Sequence, residues 1–344
     1  MNGRCLLNHY KTFQKKISQF NQIRFNAVSC QSPKVLFFGT DNFSLPSLQK
    51  LHQNNVDIGV VTSFKNPANC VRKYCEHENL ALYQWPITPK LCASYELGVV
   101  VSFGHLIPVH IINAFACGII NVHASLLPRW RGAAPIIYAI MNGDRKTGVS
   151  IMNIQPHHFD IGDILAQREM AIGSDIHMPE LHSSLAQLGA ELLLDTVNNV
   201  RERIAKATPQ DGALATYAPK ITSRITEIEW AEQNSMEIYA RYRALYGFKC
   251  LTTSFLDKQV QLLTVRKPKS QAQLNLPRFL LPSHFVFHRG LKSLIIGCAQ
   301  GTAIEVTQMR IEGKKPMSAL DFNNGFLKQA VSRQFKQNTN AAYC

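Results

Sequence analysis

Residues Leu97 to His123 read L-G-V-V-V-S-F-G-H-L-I-P-V-H-I-I-N-A-F-A-C-G-I-I-N-V-H. Two short apolar runs stand out, Leu97–Ser102 and Gly118–His123, separated by Gly104, Pro108 and Asn113. A strand with one wet face alternates apolar and polar residues, whereas a strand covered on both faces is apolar throughout. These runs are of the second kind. From Leu97 to Pro128 there is no Lys, Arg, Asp or Glu. Glycine, proline and asparagine nevertheless interrupt the stretch every few residues, so no apolar run reaches the roughly 18 residues of a membrane span. The stretch predicts buried strands and turns.

The same pattern extends in both directions. Val35–Gly39 reads as a first strand, followed by a helix from about Ser44 to Asn54 and a second strand at Val56–Thr62. Leu97–Ser102 would be the third strand, Gly118–His123 the fourth, Gly148–Ile154 the fifth and Ile164–Met170 the sixth. Most early connections are long enough for a crossover helix. The fold class is therefore α/β, an open, mostly parallel sheet. A long helix is predicted over 177–206, with Leu181, Leu185, Leu188, Leu192 and Val197 along one face. The Pro/Gly-rich stretch 207–221 reads as a linker.

Beyond it the period changes. After a helix around Ser235–Leu245, short β-type segments at Leu251–Phe255, Val260–Val265, Phe285–Phe287, Ser293–Gly297 and Ala303–Met309 alternate with turns. That is the pattern of a small antiparallel β-barrel, expected over 222–330 and followed by a tail, 331–344. The run Arg266-Lys267-Pro268-Lys269 is expected to be a basic loop, because Pro268 would break a ladder.

Composition bounds the function. With 46% hydrophobic and 17% charged residues among 344, the chain can bury a sizeable core. The formal charge is +14, and its distribution is uneven. Residues 1–40 hold 6 basic residues and no acid, residues 41–220 hold 14 basic and 15 acidic, and residues 221–344 hold 17 basic and 8 acidic. A neutral middle with cationic ends suits an anionic partner held by the C-terminal part. Residues 1–32 are basic, acid-free and without a continuous apolar core, the composition of a mitochondrial presequence. The catalytic domain would then span 33–206. The 9 cysteines form no C-x-x-C pair, so they support neither a zinc site nor a redox motif and read as reduced thiols.

The chemistry is first bounded by absences. F-F-G-T-D after the first strand is not a dinucleotide fingerprint, and neither G-x-x-x-x-G-K-[ST] nor G-x-S-x-G occurs. In open α/β sheets ligands bind at the carboxyl ends of strands. Asn121 and His123 end an apolar strand two residues apart, hence on one face. Asp160 follows the next strand and could reach the same crevice. Spacing alone leaves two readings, satisfied turn residues or a reactive set. In the second, Asn121 supplies an uncharged N–H donor to an oxyanion. His123 supplies an imidazole, a side chain able to take up and pass on a proton, and Asp160 orients it.

These residues lie in longer motifs that resemble a known family. N-V-H-A-S-L-L-P-R-W-R-G-A-A-P-I (Asn121–Ile136), T-G-V-S-I-M (Thr147–Met152) and F-D-I-G-D-I-L (Phe159–Leu165) resemble the methionyl-tRNA formyltransferases, as do V-L-F-F-G-T-D-N-F-S-L-P-S-L (Val35–Leu48) and A-T-Y-A-P-K-I (Ala215–Ile221). The resemblance covers roughly residues 34–330. With the basic leader it points to the mitochondrial branch, located in the matrix.

The resemblance implies a Rossmann-like formyltransferase domain followed by an OB-like barrel that binds the tRNA acceptor arm. It implies 10-formyltetrahydrofolate as donor, no metal, no membrane and a monomer. Asn121, His123 and Asp160 would be catalytic. Ser102, Phe103, Gly104, Leu106, Ser125, Leu126, Leu127, Pro128 and Asp163 would line the folate site. Arg72, Lys73, Arg129, Arg131, Lys220, Lys267, Lys269, Lys314 and Lys315 would meet tRNA. Leu126 reads equally as core, and Arg129 and Arg131 equally as structural partners of Trp130. Two departures from the family pattern are Ala124, where relatives carry Gly or Pro, and the segment Ser63–Glu78. That segment is short and holds only Lys65, Arg72 and Lys73, where bacterial members carry an Arg/Lys-rich loop. A formyltransferase acting on a small amine, a formyl-folate hydrolase and a non-catalytic RNA-binding protein remain open at this point.

Overall fold

In the computed structural model, the described residues are 32–156, 159–269, 272–274, 276, 279–327 and 332–336. The expected presequence lies almost wholly outside them. The first half runs β1 (Val35–Gly39), α1 (Leu45–Gln53), β2 (Ile58–Thr62), α2 (Cys70–His77), β3 (Ala81–Gln84), β4 (Leu97–Val101), β5 (Ile119–His123), α3 (Pro135–Met141), β6 (Lys146–Asn153), β7 (Ile164–Ala171) and α4 (Met178–Asn198).

These strands form one sheet in the order β3-β2-β1-β4-β5-β6-β7. It is parallel from β3 to β5, and β6 and β7 are antiparallel additions. Alternate residues of β1 go to opposite faces, as the pleat requires. Val35 and Phe37 pack with Leu48 and Leu51 of α1 and Leu185 and Leu192 of α4. Leu36 and Phe38 pack with Phe103, Ile111 and Phe115. Both faces are thus covered, which is why the strand sequences are apolar throughout.

The sequence reading missed β3. Its four residues A-L-Y-Q are half-buried or exposed, because they form the sheet's edge and carry no apolar run. Gly118–His123 therefore falls on the fifth strand in chain order, not the fourth. The charge-free stretch after Leu97 becomes β4, a single helical turn at Val109–Ile112 and β5. No helix among the described residues is long and apolar enough to cross a membrane.

The second half contains α5 (Ser235–Leu245), β8 (Leu251–Phe255), β9 (Lys258–Lys269), β10 (Phe285–His288), β11 (Ser293–Gly297), β12 (Ala303–Ile311) and β13 (Met317–Ser318). Its antiparallel sheet has the order β10-β11-β12-β9-β8, with β13 on β12. Residues 332–336, expected to belong to a tail, close this sheet instead. The Phe285 N–H donates to the Arg333 carbonyl (3.0 Å), the Phe335 N–H to that of Ser283 (3.1 Å) and the Lys336 N–H to that of Ser254 (2.8 Å). Phe335 is fully buried, 4.6 Å from the Phe285 ring and stacked on Trp230 at 5.8 Å.

The Arg266–Lys269 run is likewise not a loop. It ends β9, with Arg266 opposite Glu305 and Lys269 opposite Ala303, and the register shifts between those pairs. Pro268 is accommodated at this bulge, where the ladder needs no N–H from it. The β8 partnership reaches only Leu262, so this end of β9 has a free edge as well.

α5 joins the two halves by packing on α3. Arg243 of α5 donates to the Ile176 carbonyl (3.0 Å), and Lys267 pairs with Asp175 (2.7 Å). Three of the described cysteines are buried, and burial pushes Cys92 to about 11 and Cys75 and Cys298 to about 12. Such thiols are poor nucleophiles.

If residues 332–336 complete the barrel, Phe335→Ala should cost about 3–5 kcal/mol, the usual range for a buried Phe. Chemical denaturation followed by Trp230 fluorescence reads it, and a loss below about 1 kcal/mol would show that the segment is peripheral.

Candidate active site

Asn121 and His123 sit on one face at the carboxyl end of β5, where β6 pairs with them at Met152 and Ser150. His123 is 6% exposed and Asn121 half-buried. Among the described residues, no group hydrogen-bonds the Asn121 side-chain amide, so its donors are free for a ligand.

The chain after β5 is tied down residue by residue. The Ser125 hydroxyl donates to the Arg129 carbonyl (2.6 Å). Ser150 donates to the Ser125 carbonyl (2.6 Å) and accepts from the Leu127 N–H (3.0 Å). Gln167 donates to the Leu127 carbonyl (2.9 Å). At Trp130, in the left-handed region with φ 61°, the chain turns back toward β5. The Trp130 carbonyl there receives His123 Nε2 at 2.9 Å. A carbonyl can only accept, so Nε2 carries a proton and Nδ1 is the unprotonated nitrogen of the neutral ring.

Nδ1 faces Asp160, whose Oδ1 lies 3.7 Å away. That is too long for a hydrogen bond but close enough to attract an imidazolium in this largely buried site. The other oxygen, Oδ2, accepts the Gly132 N–H at 2.8 Å. From the sequence, Asp160 is expected to orient the His123 ring. The geometry gives that task to the Trp130 carbonyl and leaves Asp160 the electrostatic one.

Two further segments complete the surroundings. After β4, Ser102 is left-handed (φ 45°), its hydroxyl donates to Asp41 (2.5 Å) and its carbonyl accepts from the Thr40 hydroxyl (3.0 Å). This turn lies where the strand order reverses between β1 and β4, the usual ligand crevice of an open sheet. Gly104 has φ +73° and open space around it, and Leu106 is 59% exposed. Phe103 instead packs edge-on against Phe38 and Trp85. The Ser125 hydroxyl and the Leu127 backbone are engaged in the bonds just described and both residues are buried; Leu126 and Pro128 are half-buried. The Asp163 carbonyl accepts from the Asn153 N–H (3.0 Å), which holds its loop against β6.

The basic residues divide sharply. Arg131 is 8% exposed, and its Nε and Nη2 donate to Gln210 Oε1 at 3.0 and 2.8 Å. It is a buried group whose guanidinium is taken up by Gln210. Arg129 forks onto Asp144 at 2.8 and 2.6 Å and lies 4.4 Å over the Trp130 ring. Arg72 pairs with Glu76 and covers Phe64, and Lys267 pairs with Asp175. Lys73, Lys220, Lys269, Lys314 and Lys315 are exposed, and among the described residues no carboxylate pairs with them.

Gln210 and Gly132 were not singled out from the sequence. Gln210 lies in the expected linker and matches no motif. Gly132, in R-W-R-G, has φ +118°, and a Cβ there would stand 2.7 Å from the Ala218 carbonyl oxygen.

Residues 89–197 match the formyl transferase family, and residues 220–327 match the formyl transferase C-terminal domain. Fold and site together define a two-part formyltransferase. The human mitochondrial methionyl-tRNA formyltransferase is 35% identical over 308 residues, 86% of this chain and 78% of that protein. The methionyl-tRNA formyltransferase of Cereibacter sphaeroides is 32% identical over 311 residues, 85% of this chain and 96% of that protein. The chain belongs to the methionyl-tRNA formyltransferase family. An N-formyltransferase from Helicobacter canadensis, solved with folinic acid and dTDP-3-aminofucose, shares the fold at a TM-score of 0.61 and 17% identity, over 79% of this chain and 98% of its own.

Gly132 gives a direct check on this packing. Gly132→Ala meets both a left-handed backbone and the Ala218 carbonyl, and should cost about 2–4 kcal/mol. Gly143→Ala, at φ +68° with nothing within 4 Å, should cost only about 1–2 kcal/mol. Equal losses in denaturant melts of the two variants would contradict the close approach.

Proposed function

We propose that this protein transfers the formyl group of 10-formyltetrahydrofolate to the α-amine of methionyl-tRNA in mitochondria. The observation that carries the reading is the free Asn121 amide beside the His123–Asp160 pair, at the carboxyl end of a central strand, in a chain of this family.

The amine nitrogen attacks the formyl carbon and a C–N bond forms. The carbonyl oxygen becomes an oxyanion, which the Asn121 N–H donors stabilise more strongly than they do the ground-state carbonyl. His123 Nδ1 takes the proton the amine must lose. The imidazolium is held by the Trp130 carbonyl at Nε2 and by the Asp160 charge. The bond from the formyl carbon to folate N10 then breaks, and N10 receives the proton that His123 took from the amine, which returns the imidazole to its neutral form. The products are formylmethionyl-tRNA and tetrahydrofolate, and the chemistry needs no covalent enzyme intermediate.

The folate ring is assigned to the turn Ser102–Leu106, where backbone groups and the exposed Leu106 are available, and to the segment leading to Asp163. The tRNA is assigned to the basic second half, through exposed Lys269, Lys314 and Lys315, and to Lys220 in the linker that leads into it. Residues 1–32 are assigned as an import leader.

The deciding assay mixes purified protein, 10-formyltetrahydrofolate and methionine-charged initiator tRNA, and scores formylmethionine. Formate release without acceptor would favour a hydrolase, and activity on a small amine alone would favour another formyltransferase. Asn121→Ala should lower kcat about 100-fold or more with folding intact. An Asn121→Ala enzyme with wild-type kcat would remove the oxyanion role.

Salt separates the two substrates. The tRNA constant should weaken with a log–log slope of about 0.7–0.9 per phosphate neutralised. Lys314→Ala with Lys315→Ala should flatten that slope and raise KM for tRNA, leaving KM for folate unchanged. Parallel lines of equal affinity for wild type and variant would show these lysines to be a solvated surface only.

A further inference from the structure

The Gln210 side-chain amide lies between the two halves of the active-site wall. Its Oε1 accepts both Nε and Nη2 of the buried Arg131. Its Nε2 donates to the Asp160 carbonyl (2.9 Å) and to the Gly162 carbonyl (2.8 Å). Asp160 stands at φ 56°, a conformation that costs a non-glycine residue free energy and must be held from outside. The loop also lies close against β6, since a Cβ at Gly162 would fall 1.7 Å from the Asn153 carbonyl oxygen. It is therefore held against that strand and fastened by Gln210, whose Nε2 also reaches Met152 Sδ of β6 (3.8 Å).

Arg131 is fastened in turn. Its N–H donates to the Thr216 carbonyl (2.8 Å), and its carbonyl accepts from the Ala218 N–H (2.7 Å). Gln210, Thr216 and Ala218 all belong to the segment joining the two sheets. From this geometry we infer that Gln210 is a positioning residue for the formyl transfer: it fixes the Asp160 backbone so that the carboxylate meets Gly132 and His123. The inference rests on the proposed reading of the site. Misplacing a catalytic group by about 1 Å can cost on the order of 100-fold in rate while leaving substrate binding largely intact.

Gln210→Glu tests this. Its carboxylate still accepts from Arg131 but offers no N–H to the two carbonyls, and repels them. With wild-type formylation as reference, kcat should fall about 10–100-fold. KM for folate and for tRNA should stay within about 3-fold, because the Gln210 amide is taken up by Arg131, Asp160 and Gly162 and acts through Asp160. The decisive readout is a double-mutant cycle with Asp160→Asn. If Gln210 acts through Asp160, adding Gln210→Glu to Asp160→Asn should lower kcat by no more than about 2-fold further. Losses that multiply, or a Gln210→Glu enzyme with wild-type kcat, would overturn the inference. Should Gln210→Glu fail to fold, Arg131→Met combined with Gln210→Met removes both polar partners at similar volume. A folded double variant with reduced kcat and unchanged KM values supports the inference, and full turnover overturns it. A wild-type protein that forms no formylmethionyl-tRNA would instead remove the functional reading itself.

Discussion

Arg131 is paired through its backbone to the segment that connects the two sheets, and the active site depends on that pairing. Its N–H and carbonyl are both engaged, by Thr216 and Ala218. With Arg131 fixed, its two neighbours are fixed as well. On one side the Trp130 carbonyl meets His123 Nε2, and on the other the Gly132 N–H meets Asp160 Oδ2. One short stretch of β-type pairing thus sets the protonated nitrogen of the imidazole and the orientation of the carboxylate. Gly132 allows the approach, because any side chain there would strike the Ala218 carbonyl. A wall made of backbone groups moves little during the reaction, the condition under which fixed dipoles stabilise a developing charge.

Parts of this were legible in the sequence for clear physical reasons. β1, β4 and β5 are buried on both faces, so their composition announces them. Asn121 and His123 stand out as polar groups at the end of such a strand. β3 did not stand out, because an edge strand with little burial has no composition of its own. Pro268 misled for a related reason: proline excludes a regular ladder but not a bulge, and bulges depend on the partner strand. Residues 332–336 pair with Ser254 and Ser283, far away in sequence, and no local pattern encodes that. Arg131 illustrates the limit best. An arginine reads as surface, and only its bond to Gln210, 79 residues on, makes its burial tolerable.

The charge pattern acquires a physical division in the fold. The neutral half builds the site from strand ends and backbone, and the cationic half follows it. Several basic residues are already committed within the protein, Arg129 to Asp144, Lys267 to Asp175 and Arg266 to Glu305. Hydrogen bonding from Lys267 holds the Asp175 carboxyl below the usual carboxylate range. Other ammonium groups, Lys269, Lys314 and Lys315 among them, are exposed with no carboxylate partner among the described residues. The partition follows from geometry, and net charge alone did not show it.

The proton path turns on the His123 tautomer, and nitrogen NMR of the imidazole reads that tautomer directly. With 15N-labelled histidine, and His123 assigned by comparison with His123→Gln, the neutral ring should show Nε2 as a protonated, pyrrole-type nitrogen and Nδ1 as an unprotonated, pyridine-type one. The reverse assignment would mean that the Trp130 carbonyl does not hold Nε2, and would contradict the proton path through Nδ1.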